Sequence, residues 1–263
     1  MCRICLQFCC DEPQKVSRNG SIRELSGLAW RTSLCETQGM ALFVRHAVLF
    51  DLDGVLVDST TCAGRIWKSW AQEHGLDPER MVQMAHGRPT IETIRMVAPH
   101  LDAQLEADKV EESEVNDVDG LKALPGAMEL LTSLPPDRYA IVTSGSCRLA
   151  TARLRAAGLP VPARMITADD VTRGKPDPEP YLTGARLLGY KPQDCVVFED
   201  APAGIRAAKA AGISVVAFPT TYPLDALAES DCIAASLGAV HVEILASGEL
   251  ELEVATLQPC ICY

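Results

Sequence analysis

Two features are scarce in this sequence of 263 residues, and each scarcity excludes a class of protein. No apolar run approaches the roughly 18 uninterrupted residues of a membrane helix, so we predict that the chain does not span a membrane. Basic residues are outnumbered, with 24 Lys and Arg against 35 Asp and Glu, which gives a net charge of −11. Nucleic acids and anionic membranes require a basic face, so neither is predicted as a partner.

Cysteine is also scarce in the body of the chain, although the full sequence contains 11. Five cysteines precede Met40 and two lie in the last four residues, and the remaining four follow no disulfide framework. This pattern fits a reducing compartment best, and we predict a cytoplasmic protein. The pair Cys2-x-x-Cys5 has no second pair of ligands to complete a zinc site.

Residues 1–39 show no sustained periodicity, and we predict a poorly ordered extension there. Their apolar segment is too short for a secretory signal, and transit peptides avoid acids such as Asp11. Met40 is a candidate alternative start. The remaining chain is long enough for one large core and a smaller insert.

The first chemical signal is a pair of carboxylates after an apolar run. Ala47 to Phe50 is predicted as a strand buried on both faces, and Asp51 and Asp53 follow it directly. Two unpaired acids are costly to bury, so we expect the pair to lose charge or to bind a cation. The alternative is a plain turn, since Asp is common at strand ends and Asp-x-Asp is a weak motif.

Helical patterns without any strand pattern fill the next sixty or so residues. They predict an all-helical cap, residues 58–122, inserted between the first strand and the second. The segments predicted as helices begin after Asp58 or Ser59, begin at Asp77, run from Thr90 to Val97, and run from Leu101 to about Val115.

A loop, His86-Gly87-Arg88-Pro89, interrupts the predicted cap. Gly87 permits close backbone approach and Arg88 can fork onto a phosphate or onto hydroxyls, so we predict that both face the substrate. A turn between two helices is the alternative, and an acid or base role for His86 is a weaker possibility.

From Leu124 onward, strands alternate with helices, which predicts a parallel sheet with right-handed crossovers. Ligands of such sheets bind at the carboxyl ends of the strands, and polar residues follow three more strands there. Hydroxyls and a glycine before a helix form a typical anion-binding site. The polar groups after these strands are Thr143-Ser144-Gly145-Ser146, Lys175 in a Gly-Lys-Pro turn, and Glu199-Asp200.

The predicted fold class is therefore α/β, a doubly wound parallel sheet of Rossmann-like type with the inserted helical cap. The core comprises residues 40–57 and 123–263. Asp231 begins a predicted edge strand, and Val240 to Val254 a predicted terminal hairpin.

Four motifs, DLDGVLVDS, VTSGS, RGKPDPEPY and VVFEDAPAG, resemble in order and spacing those of the haloacid dehalogenase superfamily of phosphohydrolases. The likeness covers about Arg45 to Phe218. The insert after the first motif is similar to that of the subgroup containing β-phosphoglucomutase, and stretches such as AIVTSGS and CVVFEDAPAG resemble bacterial hexitol and sugar phosphatases. The resemblance implies a Mg²⁺-dependent phosphatase acting on a small phosphorylated sugar or alditol.

The resemblance also implies a role for each acid. Asp51 would be the nucleophile that becomes an aspartyl phosphate, and Asp53 would protonate the leaving oxygen and then activate water. Lys175 would offset negative charge. The implied Mg²⁺ ligands are Asp51, the backbone carbonyl of Asp53 and Asp200, with Glu199 oriented nearby or ligating through water.

The phosphate would be held, by the same resemblance, by the hydroxyl of Ser144 and the N–H of Gly145, with Ser146 close by. Sliding the motif by one residue would put Thr143 in the place of Ser144, and both registers remain open.

Two departures favour hydrolysis over the alternative, a β-phosphoglucomutase-type phosphotransferase. The mutases have a histidine where this chain has Ala63, and a serine and an arginine follow their cap glycine where this chain has Arg88-Pro89. An inactive binding protein would lack the nucleophile or a metal acid, and none is missing. We predict a monomer or weak dimer.

Overall fold

The structure is a computed structural model that describes residues 39–85 and 88–257. The predicted extension, apart from its last residue, lies outside the described residues, as do His86 and Gly87 of the predicted substrate loop. In the described ranges, every helix is too short or too polar to cross a membrane.

Eleven strands and eight α-helices form the described part of the chain. The strands are β1 Gly39–Arg45, β2 Ala47–Phe50, β3 Val57–Asp58, β4 Lys122–Ala123, β5 Tyr139–Val142, β6 Met165–Ile166, β7 Cys195–Glu199, β8 Ser214–Ala217, β9 Cys232–Ile233, β10 Val240–Ile244 and β11 Leu250–Thr256. The helices are α1 Thr60–Glu73, α2 Pro78–Ala85, α3 Thr90–Val97, α4 Ala103–Asn116, α5 Ala127–Ser133, α6 Cys147–Ala156, α7 Glu179–Leu188 and α8 Pro202–Ala210.

Six strands form the central parallel sheet in the order β6-β5-β2-β7-β8-β9. The chain enters this sheet in the middle at β2 and adds β5 and β6 on one side. It then crosses to the other side of β2 and adds β7, β8 and β9. This is the doubly wound arrangement, and the predicted fold class is confirmed. All four residues of β2 are buried, because an apolar cluster covers each face of the sheet and successive side chains point to opposite faces.

A second, antiparallel sheet has the order β1-β11-β10. Its hairpin, β10 and β11, was predicted, and so was the edge strand β9. Strand β1 was not predicted, because its apolar residues do not alternate with polar ones. Phe43 is buried, whereas Met40 and Leu42 on the other face are 61% and 60% exposed.

Helices α1 to α4 lie between β3 and β4 and are called the cap below. The cap has an apolar cluster of its own, in which the rings of Trp67 and Trp70 meet edge to face with their centroids 5.7 Å apart. Helix α3 begins and ends at the predicted residues, and no strand interrupts the four cap helices in the described residues. Strands β3 and β4 pair with each other, so the chain leaves and re-enters the core at adjacent points.

Candidate active site

Asp51 lies at the carboxyl end of β2, in the middle of the parallel sheet. Its backbone N–H donates to the carbonyl of Phe198 at 2.9 Å. Phe50 is level with Phe198 in the pairing of β2 with β7, so the residues that follow, Asp51 and Glu199, emerge side by side. The register of two buried strands thus brings together carboxylates that are far apart in the sequence.

Lys175 is fully enclosed between these carboxylates. Its Nζ donates to Asp51 Oδ1 at 2.5 Å, to Glu199 Oε1 at 2.7 Å and to the carbonyl of Val142 at 3.0 Å. An ammonium group has three donors, and these contacts use all three. The ammonium also lies 4.9 Å from the ring centre of Tyr181. Its position is therefore fixed by contacts on several sides.

Glu199 organises its surroundings through both carboxylate oxygens. Oε1 accepts from Lys175 and from the hydroxyl of Tyr181 at 2.8 Å, and Oε2 accepts from the N–H groups of Asp200 and Ala201 at 2.9 Å. A Cβ at Gly204 would lie 1.5 Å from Oε1, so this helix position requires glycine. Glu199 therefore holds the lysine and the turn that carries Asp200.

Asp51, Glu199 and Asp200 offer carboxylate oxygens within 4.8 Å of one another. Burial, reinforced by Glu199 and opposed by Lys175, raises the pKa of Asp51 to about 7. Burial, followed by the charges of Glu199 and Asp51, raises the pKa of Asp200 well above its ordinary value. Three buried acids facing one lysine leave negative charge uncompensated, and carboxylate oxygens suit a hard divalent cation. The donor set fits Mg²⁺.

Gly54 makes room for this arrangement. Its φ is +83°, and a Cβ there would lie 1.9 Å from Asp200 Oδ2. The DxDG motif thus needs its glycine for backbone conformation and for the approach of the carboxylate of Asp200, which directly follows β7.

Asp53 lies in different surroundings, with 29% of its side chain exposed. Oδ1 accepts from the Ser59 hydroxyl at 2.7 Å, and Oδ2 accepts from Arg153 Nη1 at 2.6 Å. Ser59 directly precedes the first cap helix, and Arg153 lies on α6 of the core. Lys175 makes no contact with this carboxylate among the described hydrogen bonds.

A cavity of about 100 Å³ lies between the carboxyl edge of the sheet and the cap. Core and cap both contribute to its lining, so a molecule bound in the cavity would be enclosed between them. The predicted site residues that line it are Asp51, Asp53, Ser144, Gly145, Lys175, Glu199, Asp200 and Arg88.

The motifs of this site match the family model of haloacid dehalogenase-like hydrolases over residues 48–218. The chain belongs to the haloacid dehalogenase-like hydrolases. Hexitol phosphatase A of Escherichia coli (strain K12) is 43% identical to it over 210 residues, which are 78% of this chain and 97% of that protein. Glycerol-1-phosphate phosphohydrolase 2 of Saccharomyces cerevisiae is 38% identical over 200 residues, 71% of this chain and 80% of that protein.

The solved structures agree with this assignment. The crystal structure of a hydrolase from Pseudomonas syringae superposes with a TM-score of 0.67 at 27% identity, covering 73% of this chain and 94% of that one. The predicted family is therefore confirmed, and so is the prediction that this haloacid dehalogenase-like hydrolase is a phosphoric monoester hydrolase.

Two residues of the predicted phosphate loop of this hydrolase make contacts that the sequence did not predict. The hydroxyl of Ser146 donates to Glu111 of α4 at 2.8 Å. It also accepts from the N–H of Leu149, so Ser146 caps the N-terminus of α6. The N–H of Gly145 donates to Thr143 Oγ1 at 3.1 Å. The register of the phosphate loop stays a prediction.

Arg88 lies at the edge of the cavity, where its Nη1 contacts the sulfur of Met96 at 3.3 Å. Gly87, predicted beside it, lies outside the described residues.

Arg153, Glu114 and Tyr181 are among the polar residues of the site that sequence reasoning missed. Arg153 carried a signal, since it shares the buried face of α6 with Leu149 and Leu154, and a charge on an apolar stripe requires a partner. Tyr181 lay inside a recognised motif, but its bond to Glu199 depends on the packing of α7 against the sheet.

Proposed function

We propose that this hydrolase is a Mg²⁺-dependent phosphatase of small sugar or sugar-alcohol phosphates and works through an aspartyl phosphate on Asp51. The observation that carries the proposal is the buried carboxylate of Asp51, held by Lys175 and flanked by Asp200 under the cap. The names of the relatives, a hexitol phosphatase and a glycerol-1-phosphate phosphohydrolase, support phosphorylated polyols as substrates.

Asp51 is prepared to act as a nucleophile. Lys175 holds its Oδ1, and the hydrogen bonds described for this chain leave Oδ2 for attack on phosphorus. A new bond forms between this oxygen and phosphorus while the bond from phosphorus to the sugar oxygen breaks. Asp53 gives its proton to that leaving oxygen.

The second half of the reaction returns the enzyme to its starting state. Asp53, now a carboxylate, takes a proton from a water molecule, and the water oxygen attacks the phosphorus of the aspartyl phosphate. Inorganic phosphate leaves, Asp51 is regenerated, and Asp53 carries a proton again.

Charge compensation is the main electrostatic requirement, because an anion attacks an anion. Asp51, Asp200 and the backbone carbonyl of Asp53 would hold Mg²⁺, and Glu199 would orient these groups or ligate through water. When bound, the ion supplies positive charge at the reacting oxygens. Lys175 supplies a second positive charge and stays in place through Glu199 and Val142.

Ser144 and Gly145 would bind the phosphoryl oxygens from the turn before α6. Both line the cavity, and the N–H of Gly145 can exchange its bond to Thr143 for one to phosphate. Arg88 on the cap would contact the sugar hydroxyls. A cytoplasmic monomer or weak dimer completes the proposal.

Phosphate release from a panel of sugar and alditol phosphates, with Mg²⁺ and with EDTA, tests this function. We expect release from some members with Mg²⁺ and its loss with EDTA, and an acid-quenched protein that reacts with hydroxylamine as an acyl phosphate does. Release that is insensitive to EDTA, or no release from any member, would contradict the proposal.

The mutase alternative makes a different product. Ala63 lines the cavity and has no imidazole, which favours hydrolysis. Incubation with β-glucose 1-phosphate should give free phosphate or no reaction. Accumulation of glucose 6-phosphate without free phosphate would favour the phosphotransferase.

A further inference from the structure

Arg153 joins the acid of the active-site loop to an acid of the cap. Its Nη1 donates to Asp53 Oδ2 at 2.6 Å, and its Nη2 donates to Glu114 Oε1 at 3.1 Å. Only 7% of Arg153 is exposed, and Glu114 is 4% exposed. The guanidinium is therefore an enclosed bridge with one carboxylate on each side.

The three residues of this bridge come from three separate elements. Asp53 follows β2 in the core, Arg153 lies on α6, and Glu114 lies on α4 of the cap. The side chain of Arg153 thus links Asp53 to Glu114 of the cap. Its other oxygen is held by Ser59, the residue directly before the first cap helix.

The charges in the bridge depend on one another. Burial is the main cause that raises the pKa of Glu114, and Arg153 opposes it. A buried acid without its cation is strongly destabilising, so Arg153 cannot easily leave Glu114. A guanidinium is planar and presents its donors in a fixed fork, which ties the direction of one N–H to that of the other.

We propose that Arg153 is a positioning residue that aims the carboxyl group of Asp53 at the leaving oxygen, and that Glu114 holds Arg153 in this position from the cap. The inference rests on the proposed function, because it needs Asp53 as the acid. When α4 packs against α6, Glu114 fixes Arg153, and Arg153 in turn orients Asp53. The nucleophile Asp51, in contrast, is held entirely by the core.

Two other roles of Arg153 lead to different expectations. Arg153 also lines the cavity, so it could bind the substrate directly, or it could only stabilise the cap. Either role affects all phosphate esters alike. A role in positioning the acid affects only those esters whose leaving group needs a proton.

The test therefore compares two leaving groups. The values of kcat/KM are measured with Mg²⁺ for an alditol phosphate and for p-nitrophenyl phosphate, because kcat/KM reports the first phosphoryl transfer. An alkoxide needs a proton to leave, whereas 4-nitrophenolate does not. For Arg153→Gln we expect a loss of roughly 10²-fold with the alditol ester and less than about fivefold with the aryl ester.

Three further variants separate positioning from stability. Arg153→Gln leaves Glu114 without a cation, so the double variant Arg153→Gln with Glu114→Gln is measured as well and should show the same selective loss. Arg153→Lys should recover only part of the alditol activity, since one ammonium cannot reproduce the fork. Arg148→Gln removes a neighbouring ion pair to Glu112, 2.6 Å long and half-exposed, between the same two helices, and should leave both values within about twofold.

An equal loss on both esters in the single and the double variant would overturn the inference, as would a selective loss in Arg148→Gln. Failure of the proposed function has a different signature, in which the wild-type protein releases phosphate from neither ester. The inference would then fall with it.

Discussion

The two aspartates of the DxD motif are two residues apart and lie in opposite surroundings. Asp51 is enclosed by the core, where Lys175 holds its Oδ1 and two further acids lie close by. Asp53 lies at the boundary with the cap, held by Ser59 and Arg153. The comparison indicates that Asp51, the proposed nucleophile, is positioned by the core alone, while Asp53, the proposed acid, depends on an arginine that the cap holds in place.

The largest effect should come from removing Asp51, the proposed nucleophile. Asp51→Asn keeps the size of the side chain but cannot form the acyl phosphate, so we expect kcat to fall by roughly 10⁴-fold or more for every ester. Asp137→Asn, an exposed residue before β5 at the opposite edge of the sheet, is the matched control. Appreciable activity in Asp51→Asn would place the nucleophile elsewhere.

Removing the buried cation should be nearly as damaging. Lys175→Met leaves Asp51 and Glu199 without their shared ammonium, and we expect kcat/KM to fall roughly 10²- to 10³-fold. The free energy of unfolding, measured in urea, should fall by about 3–5 kcal/mol. The exposed Lys191→Met should change neither quantity. A stable Lys175→Met protein with normal activity would show that the core does not need this charge.

The tyrosine behind Glu199 should matter less. Tyr181→Phe removes one hydrogen bond to a buried carboxylate, which should lower the free energy of unfolding by about 1.5–3 kcal/mol. We expect kcat/KM to fall by less than about tenfold. Tyr190→Phe is the control, because its ring stacks on His46 outside the site. Equal effects in the two variants would mean that the bond to Glu199 contributes nothing specific.

The two serines of the phosphate loop should separate binding from cap contact. Ser144→Ala should lower kcat/KM by roughly 10²-fold if its hydroxyl binds the phosphoryl group. Ser146→Ala loses the cap of α6 and the bond to Glu111, so it should mainly lower stability, by about 1 kcal/mol. The reverse result would shift the register of the loop.

The smallest effect concerns the strands that carry the cap. Partial burial raises the pKa of Asp58, but hydrogen bonds from Thr60 and the charge of Lys122 outweigh it and hold the pKa below the ordinary value of 3.8. The ionised group therefore adds stability above pH 3.8, and this stability is lost as the pH falls through the lower, folded-state value.

Urea unfolding of the wild type and of Asp58→Asn measures this contribution. The difference at pH 7 should be below about 1 kcal/mol, since the pair is partly solvated, and it should shrink at pH 3. A difference that grows on acidification would contradict the assignment.

The core half of the site could be predicted from the sequence because its signals are local. A buried strand, a small-residue turn and a helix start are short patterns, and parallel strands bring their carboxyl ends to one edge. Asp51, Lys175 and Asp200 were therefore placed without any knowledge of distances.

The cap half could not be predicted in the same way, because its contacts are long-range. Arg153 is 100 residues from Asp53 and 39 from Glu114 in the sequence, and no pattern of residues in α6 indicates that these two acids are its partners. Ser146 was predicted beside the phosphate because of its motif, but its hydroxyl also reaches the cap. Strand β1 was missed because its apolar residues lie on both of its faces.

The pairing of β3 with β4 also has a consequence for how substrate preference can change. Val57 is level with Ala123 and Asp58 with Lys122, so the inserted segment begins and ends at neighbouring positions. A segment whose ends already meet can be exchanged for another of different length without altering the spacing of the strands around it. Chimaeras that replace residues 59–121 should therefore acquire the substrate range of the donor and keep Asp51, the proposed nucleophile of the recipient. Glu114 lies within the exchanged segment, so the donor segment would have to supply a carboxylate that holds Arg153 beside Asp53, the proposed acid.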